Sequence, residues 1–401
     1  MSRAHDVIVV GGGVIGSAVA YYLSKKGVDV LLCERGDVAN GTSSSCDGNV
    51  LAIDKMPGFD SQITFESQKL YDRLETELGH DFEYRRLGST LAVEDEEQAV
   101  TARDWVRRQR EAGLPMRYLE GQEVRDDEPE LARDIIGLVE CASDSSLNPM
   151  AVVFGFVLAA QRYGTTVKRF TEVRSVVTGT RGEATGIDTS EGSFAAPRVI
   201  ICAGVWTPAL AETVGVKVPI TPRKGQILVA ERTKTIGRRK LMEFGYLMAK
   251  FGGAAKRKVE PDMEKYGIAL VFEPTPHGNF LIGSSREFVG FDTVCSNRVN
   301  TLLARRAIRF YPAIKDVKVI RSYAGLRPYT DDHLPVVSEA PGVPGLYVAA
   351  GHEGDGIGLA PVTGLLMSQM VTGEQPVMPA EPLRLDRFQK NPVGTTHSSG
   401  S

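Results

Sequence analysis

A chain of 401 residues, 42% hydrophobic and 24% charged, can bury more than one core, and its length fits two domains better than one. Its formal net charge of −3 gives no electrostatic reason to expect nucleic acid or an anionic membrane as a partner. The five cysteines, Cys33, Cys46, Cys141, Cys202 and Cys295, are scattered, with no C-x-x-C pair and no metal-like cluster, which suits reduced thiols in a cytoplasmic protein rather than a disulfide framework.

No apolar run reaches the length of a membrane span, and the chain enters a strand-like run at Val7 without the layout of a signal peptide. Val7-Ile8-Val9-Val10 is short, β-branched and uninterrupted, the pattern of a strand buried on both faces. It leads into Gly11-Gly12-Gly13-Val14-Ile15-Gly16, and residues 17–23 then read as a helix closing near Gly27. A second buried strand, Val28 to Cys33, ends at Glu34 and Arg35. Gly11 is expected to make the tight turn, Gly13 to let the backbone approach a pyrophosphate, and Gly16 to allow close helix–strand packing. The helix start at Val14 and Ile15 offers unpaired N–H groups and a positive dipole end to the phosphates. Glu34 lies 23 residues after Gly11, where a carboxylate can accept the hydroxyls of an adenosine ribose. Together these predict a dinucleotide site. No second glycine fingerprint exists for a nicotinamide, which favours FAD held by one Rossmann unit.

The stretch 36–50, with Thr42, Ser43, Ser44 and Gly48, supplies hydroxyl donors and glycines suited to a diphosphate and a flavin edge; alone it would read as a plain polar loop. Residues 198–206 form another buried strand ending in the small-residue turn at Ala203, Gly204 and Trp206. Farther on, a strand from Gly345 meets a helix, expected over 362–371, through a loop bearing Gly351, His352, Glu353, Gly354, Asp355, Gly356, Ile357 and Gly358. The helix N-terminus would point into that loop and stabilise negative charge on a reduced flavin.

With these motifs, residues 144–149, 199–206 and 222–228, and the run Gly325-Leu326-Arg327-Pro328-Tyr329-Thr330-Asp331-Asp332-His333-Leu334-Pro335, the chain resembles the D-amino-acid oxidase superfamily of flavoproteins, in its glycine oxidase and sarcosine oxidase branch. The resemblance implies an α/β (α+β) fold in which a Rossmann-type FAD-binding domain, 1–78, 140–221 and 325–390, is interleaved with an antiparallel-sheet substrate domain, 79–139 and 222–324. The alternating runs 267–272 and 279–283 suit that sheet, and amphipathic helices over 61–78 and 95–112 are expected to pack around it. Residues 391–401, rich in Gly, Ser and Thr, read as a disordered tail.

For the chemistry, the resemblance implies hydride transfer from the α-carbon of a small amino acid to flavin N5, with few side chains acting as acid or base. Arg327 occupies the place of the carboxylate-binding arginine, the other reading being a salt bridge within the C-terminal lobe. His352 either flanks the flavin or makes a structural hydrogen bond, while Tyr246 and Lys250 lie where a cover over the substrate would be. Arg35 and Val173 are counted with the cofactor-binding residues named above. Similar enzymes often carry a second arginine after the Gly-His pair. Here that loop is acidic and small at Glu353 and Asp355, which leaves a carboxylate fewer partners or offers an acid to a polar group.

Arg223-Lys224-Gly225-Gln226 and the 353–359 loop look like the β-type subunits of heteromeric dehydrogenases for proline, hydroxyproline, opines or sarcosine, relatives of hydrogen cyanide synthase. This implies a catalytic subunit passing electrons to an iron–sulfur centre or second flavin elsewhere, since no cysteine cluster exists here to hold one. An FMN at a subunit interface is compatible with such a complex. FAD itself is expected to be non-covalent, with Cys46 a distant candidate for attachment, and no metal is expected. The alternatives are a stand-alone glycine, sarcosine or D-amino acid oxidase producing hydrogen peroxide, a non-catalytic flavin-binding assembly subunit, and an NAD-dependent dehydrogenase. The basic stretch within 233–265 reads as solvated surface, a lid or a docking surface.

Overall fold

Four consecutive apolar side chains from Val7 to Val10 need burial on both sides, and the strand they form lies inside a six-stranded sheet. The computed structural model describes residues 4–250, 257 and 259–390. Across this sheet the order is Val336–Glu339, Leu346–Ala350, Val199–Ile201, Val7–Val10, Val30–Cys33 and Thr166–Lys168. Every neighbouring pair is parallel except the first. Val7 and Val9 face a core shared with the helices Val14–Ser24, Pro149–Arg162 and Gly356–Thr372. Ile8 and Val10 face the opposite way, onto the meander Val173–Thr178, Ala184–Thr189 and Gly192–Ala195.

The second sheet has eight strands and is antiparallel apart from Lys240–Glu243 beside Ser89–Val93. Its longest pairing joins Thr221–Ala230 to Val319–Tyr329, with Thr221 opposite Tyr329 and Arg223 opposite Arg327. The alternating runs expected near 267–283 pair as Val271–Pro274 and Phe280–Gly283. One core of this sheet closes on the helix Asn297–Phe310 and the other on Glu96–Glu111, through Trp105 and Val106.

Two expectations are corrected. The helix Phe59–Leu78 does not pack around the substrate sheet; Ile63, Tyr71, Leu74 and Leu78 enter the core of the parallel sheet. Its apolar stripe predicts a buried face but carries no information about which sheet covers it. The last long helix starts at Gly356 rather than at 362, and Pro361 lies inside it. A proline there leaves the carbonyl four residues earlier without its helical donor. The Tyr71 hydroxyl donates to that carbonyl, on Ile357, at 2.5 Å, so the helix continues.

The basic run 251–258, apart from Arg257, and the tail 391–401 lie outside the described residues, as does the Lys250 side chain. No described helix is long and apolar enough to cross a membrane.

Candidate functional site

The carboxyl ends of the parallel strands meet one face of the long strand pair around a cavity of about 790 Å³, the place where open α/β sheets bind ligands. Its first wall is the glycine turn. Gly11 has φ +113°, and a Cβ there would lie 2.5 Å from the Cys202 carbonyl oxygen; a Cβ at Gly16 would lie 1.9 Å from the Gly11 carbonyl oxygen. Both positions are therefore closed to any side chain by backbone. At Gly13 a Cβ would meet only Ser43 Oγ, at 3.4 Å, and its bare backbone faces the cavity. Val14 and Ile15 line the same wall at the helix start. The Val14 N–H donates to Ser43 Oγ at 3.0 Å, which leaves the Ser43 hydroxyl proton free to donate into the cavity.

Glu34 is held by its own strand–turn unit. Its carboxylate accepts the Gly12 N–H at 2.7 Å and the Gly36 N–H at 2.8 Å, and it lines the cavity with Arg35. The Arg35 guanidinium lies 3.7 Å from the centre of the Trp206 ring, a cation–π contact that closes this end over Val173, Ala203 and Gly204. A bare-backbone glycine turn, a helix N-terminus and an anchored acid fit the pyrophosphate and ribose of a dinucleotide.

The far end is built by residues distant in sequence. The Thr42 hydroxyl donates to the Leu326 carbonyl at 2.6 Å, tying the 36–50 loop to the second sheet. Gly354, Gly356 and Ile357 line the cavity at the start of the last helix. Asp355, the N-cap of that helix, is paired at 2.5 Å with Lys55, which also reaches Asp54 at 2.8 Å. Lys55 is 1% exposed. Burial opposes its charge, but Asp355 and Asp54 outweigh burial and hold it above the usual lysine range. His352 lines the cavity with Nε2 3.0 Å from Thr363 Oγ1, and burial pulls its pKa down to about 3, so the ring is neutral. Cys46 also lines the cavity, and burial pushes its thiol well above the usual range.

Five of the residues expected at the site do not line this cavity. Gly16 sits behind the turn, as its packing role requires. Ser44 is exposed, its hydroxyl spent on the Gly41 carbonyl. Gly48 lies against the Leu147 carbonyl, 1.8 Å from where its Cβ would be, and its N–H donates to Glu273. Gly358 packs over Asn49 and Val50. Tyr246 lies under the Arg286 guanidinium, 3.7 Å from its ring centre.

Arg327 reaches the cavity from the second sheet. Its guanidinium lies over Gly225, where a Cβ would sit 2.2 Å from Nη1, and Nη1 donates to the Ser285 carbonyl at 3.0 Å. Among the described residues no ion pair to a carboxylate occupies it, in contrast to the salt bridge weighed above. Burial, then the like charge of Arg286, bring its pKa down to about 10, so it stays cationic near neutrality. The acidic loop does not leave this wall poor in cations. Glu353 forms an ion pair with Arg223, directly opposite Arg327 across the strand pair. Sequence reasoning missed Asp47, Gly225 and Ile227 as residues lining the cavity.

A family model for FAD dependent oxidoreductases matches residues 6–370. The chain is 28% identical to the glycine oxidase of Geobacillus kaustophilus, over 96% of this chain and 98% of that one. It is 27% identical to hydrogen cyanide synthase subunit HcnC of Pseudomonas protegens, over 98% of both. The crystal structure of the G. kaustophilus glycine oxidase superposes with a TM-score of 0.85 at 26% identity, covering 96% of this chain and 99% of that one. The L-proline dehydrogenase from P. horikoshii shares the fold, with a TM-score of 0.86 at 21% identity over 97% of this chain and 99% of that one. By this match and by the fit of its glycine turn, Glu34 and helix termini to the dinucleotide, the chain belongs to the DAO family of FAD dependent oxidoreductases.

Proposed function

We propose that the protein oxidises a small primary or secondary amino acid at its C–N bond to the imine, as the catalytic subunit of a heteromeric dehydrogenase. The observation that carries this is Arg327: a cationic guanidinium presented to the cavity, with no carboxylate of the protein bound to it among the described residues. Its planar fork suits a substrate carboxylate, and holding that group orients the adjacent Cα–H and amine. When bound, FAD supplies the two-electron acceptor for the hydride. We assign its pyrophosphate to the Gly11–Gly16 turn, its ribose to Glu34, and its ring to the space before Gly354, Gly356 and Ile357. The protonated Cys46 thiol supports non-covalent binding. With His352 neutral and occupied by Thr363, we assign no catalytic base.

Likeness to a synthase subunit supports assembly with other chains. No described group of three or more His, Cys, Asp or Glu could hold a metal ion, so an iron–sulfur partner centre would belong to another subunit. The test is anaerobic bleaching of the flavin by a panel of amino acids, followed by admission of air. Bleaching with slow reoxidation supports a dehydrogenase, and fast reoxidation makes it an oxidase. Arg327→Ala should raise the substrate KM by roughly 10- to 100-fold, the range for a lost charge-assisted hydrogen bond; an unchanged KM refutes the role given to Arg327.

A further inference from the structure

Asp47 brings a negative charge to the part of the cavity that Arg327 reaches. By the two-residue period of a strand, Tyr323, Gly325 and Arg327 share a face, and Gly325 and Arg327 line the cavity. The loop that carries Asp47 lies directly on that face. The Tyr323 hydroxyl donates to the Cys46 carbonyl at 3.1 Å, and a Cβ at Gly325 would meet the Ser45 carbonyl oxygen at 2.5 Å. The missing side chain of Gly325 lets the loop approach this closely, and the approach sets Asp47, which also lines the cavity, on the same wall as Arg327.

Asp47 is anchored from the second sheet. Lys240 Nζ reaches its Oδ2 at 3.1 Å and is shared with Glu273 Oε2, 3.5 Å away. Lys240 and Glu273 are both buried, and Glu273 Oε2 has no hydrogen-bond donor among the described residues. The Asn49 side chain also hydrogen-bonds Asp47. Burial opposes the charge on Asp47, but Lys240 and then Arg327 outweigh burial and hold its carboxyl below the usual range, so it is ionised at neutrality. A carboxylate offers about four acceptor positions, so Asp47 keeps room for a further donor on its cavity side. Among the described residues no hydrogen bond or ion pair joins Asp47 to Arg327. Two opposite charges thus line one cavity without being spent on each other.

We propose that Asp47 receives the substrate nitrogen, so that the site takes an amino acid as its zwitterion, with the carboxylate on Arg327 and the ammonium on Asp47. The proposal rests on the amine-oxidation reading and names the residue that selects nitrogen over oxygen at the carbon to be oxidised. Both groups hang from one carbon of an α-amino acid, so holding the two of them also fixes the direction of the Cα–H. A 2-hydroxy acid of the same shape brings no cation to Asp47, and a plain carboxylic acid leaves it desolvated with no new partner, which is costly. A carboxylate accepts an N–H from the ammonium and from the neutral amine alike, so Asp47 orients the nitrogen in either state, and no acid–base step is assigned to it.

The experiment uses the FAD-loaded full chain and three ligands of one shape. 2-Aminoisobutyrate, 2-hydroxyisobutyrate and pivalate carry an ammonium, a hydroxyl and a methyl group at the same position. None has an α-hydrogen to give up as hydride, so binding is read alone, by flavin spectral perturbation and thermal-melt shift. 2-Aminoisobutyrate should bind roughly tenfold or more tighter than the other two, the scale of one charge-assisted hydrogen bond. Asp47→Asn, with Asp47→Ser as a second neutral variant, should lose that preference while pivalate binds as before or tighter, because a negative charge near its carboxylate has gone. Equal binding of the three by the parent, binding of none, or a preference that survives in both variants overturns the assignment. So does a parallel loss of all three ligands in both variants, which makes Asp47 a structural partner of Lys240. Anaerobic bleaching by amino acids that do carry an α-hydrogen is followed separately. Bleaching without the ligand preference removes the role of Asp47 and leaves amine oxidation standing. The preference without bleaching by any amino acid supports the role of Asp47 and removes amine oxidation instead.

Discussion

Replacing Gly225 by alanine separates the position of Arg327 from the presence of its charge. A Cβ at Gly225 would fall 2.2 Å from Nη1, 2.3 Å from Nη2 and 2.4 Å from Cζ of Arg327, where ordinary contact begins at 3.4 Å. The guanidinium must therefore retreat by 3.4 − 2.2, about 1.2 Å, or rotate away. The atoms in the way are the far end of a flexible side chain, and Gly225 carries no positive φ. The fold thus has no reason to suffer, and alanine restricts the unfolded chain enough to add up to about 1 kcal/mol. A misplacement of about 1 Å can cost on the order of 100-fold in a positioned reaction. Gly225→Ala should accordingly weaken substrate binding by roughly 10- to 100-fold, approaching Arg327→Ala, while the melting temperature holds or rises. Stopped-flow reduction over a range of substrate concentrations, with a thermal melt of the same sample, reads both quantities. Substrate affinity within about twofold of the parent, in a protein of parental stability, would refute the carboxylate role of Arg327.

Other predictions concern buried charges. Lys55→Met leaves Asp54 and Asp355 facing one another without their cation. It should cost about 3–5 kcal/mol, the penalty for breaking a buried pair, as a lowered urea midpoint; a shift near zero would show that water reaches the carboxylates. Glu128 is buried with its carboxylate on the Tyr311 hydroxyl and the Arg238 N–H, and burial raises its pKa to about 7. An unfolded glutamate titrates near ~4.3, so between those values the folded protein keeps a proton that the unfolded chain has lost, and stability falls as pH rises through the window. Glu128→Gln removes this slope and should gain roughly 3 kcal/mol on the parent between pH 4 and 8. Parallel stability–pH curves for parent and variant would contradict the assignment.

The nucleotide end was legible because its logic is local. Gly11, Gly13, Gly16 and Glu34 act within one strand–turn–helix–strand unit, so their spacing alone exposes their roles. The substrate wall was not, because it is a matter of register. Arg223 becomes a neighbour of Arg327 only when two strands about a hundred residues apart pair residue for residue. The early start of the last helix was hidden for a related reason: Pro361 looks like a stop until the Tyr71 hydroxyl arrives from another helix. Arg327 stood out through a run of motif residues, yet what leaves room for it, the missing side chain of Gly225, shows only in three dimensions.

The route of the chain between its two sheets sets a timetable for synthesis. Of the parts that build the cavity, the glycine turn at 11–16 is made well before the strand beside it at 199–201, the next strand at 346–350 and the helix start at Gly356. The Leu326 carbonyl that anchors the Thr42 loop also belongs to the last fifth of the chain. A nascent chain therefore displays a dinucleotide fingerprint long before it owns a dinucleotide pocket. A chain that stops before 346 lacks the wall of the cavity formed by Ala349, Ala350, Gly351, His352, Gly354, Gly356 and Ile357, however much of the first sheet it contains.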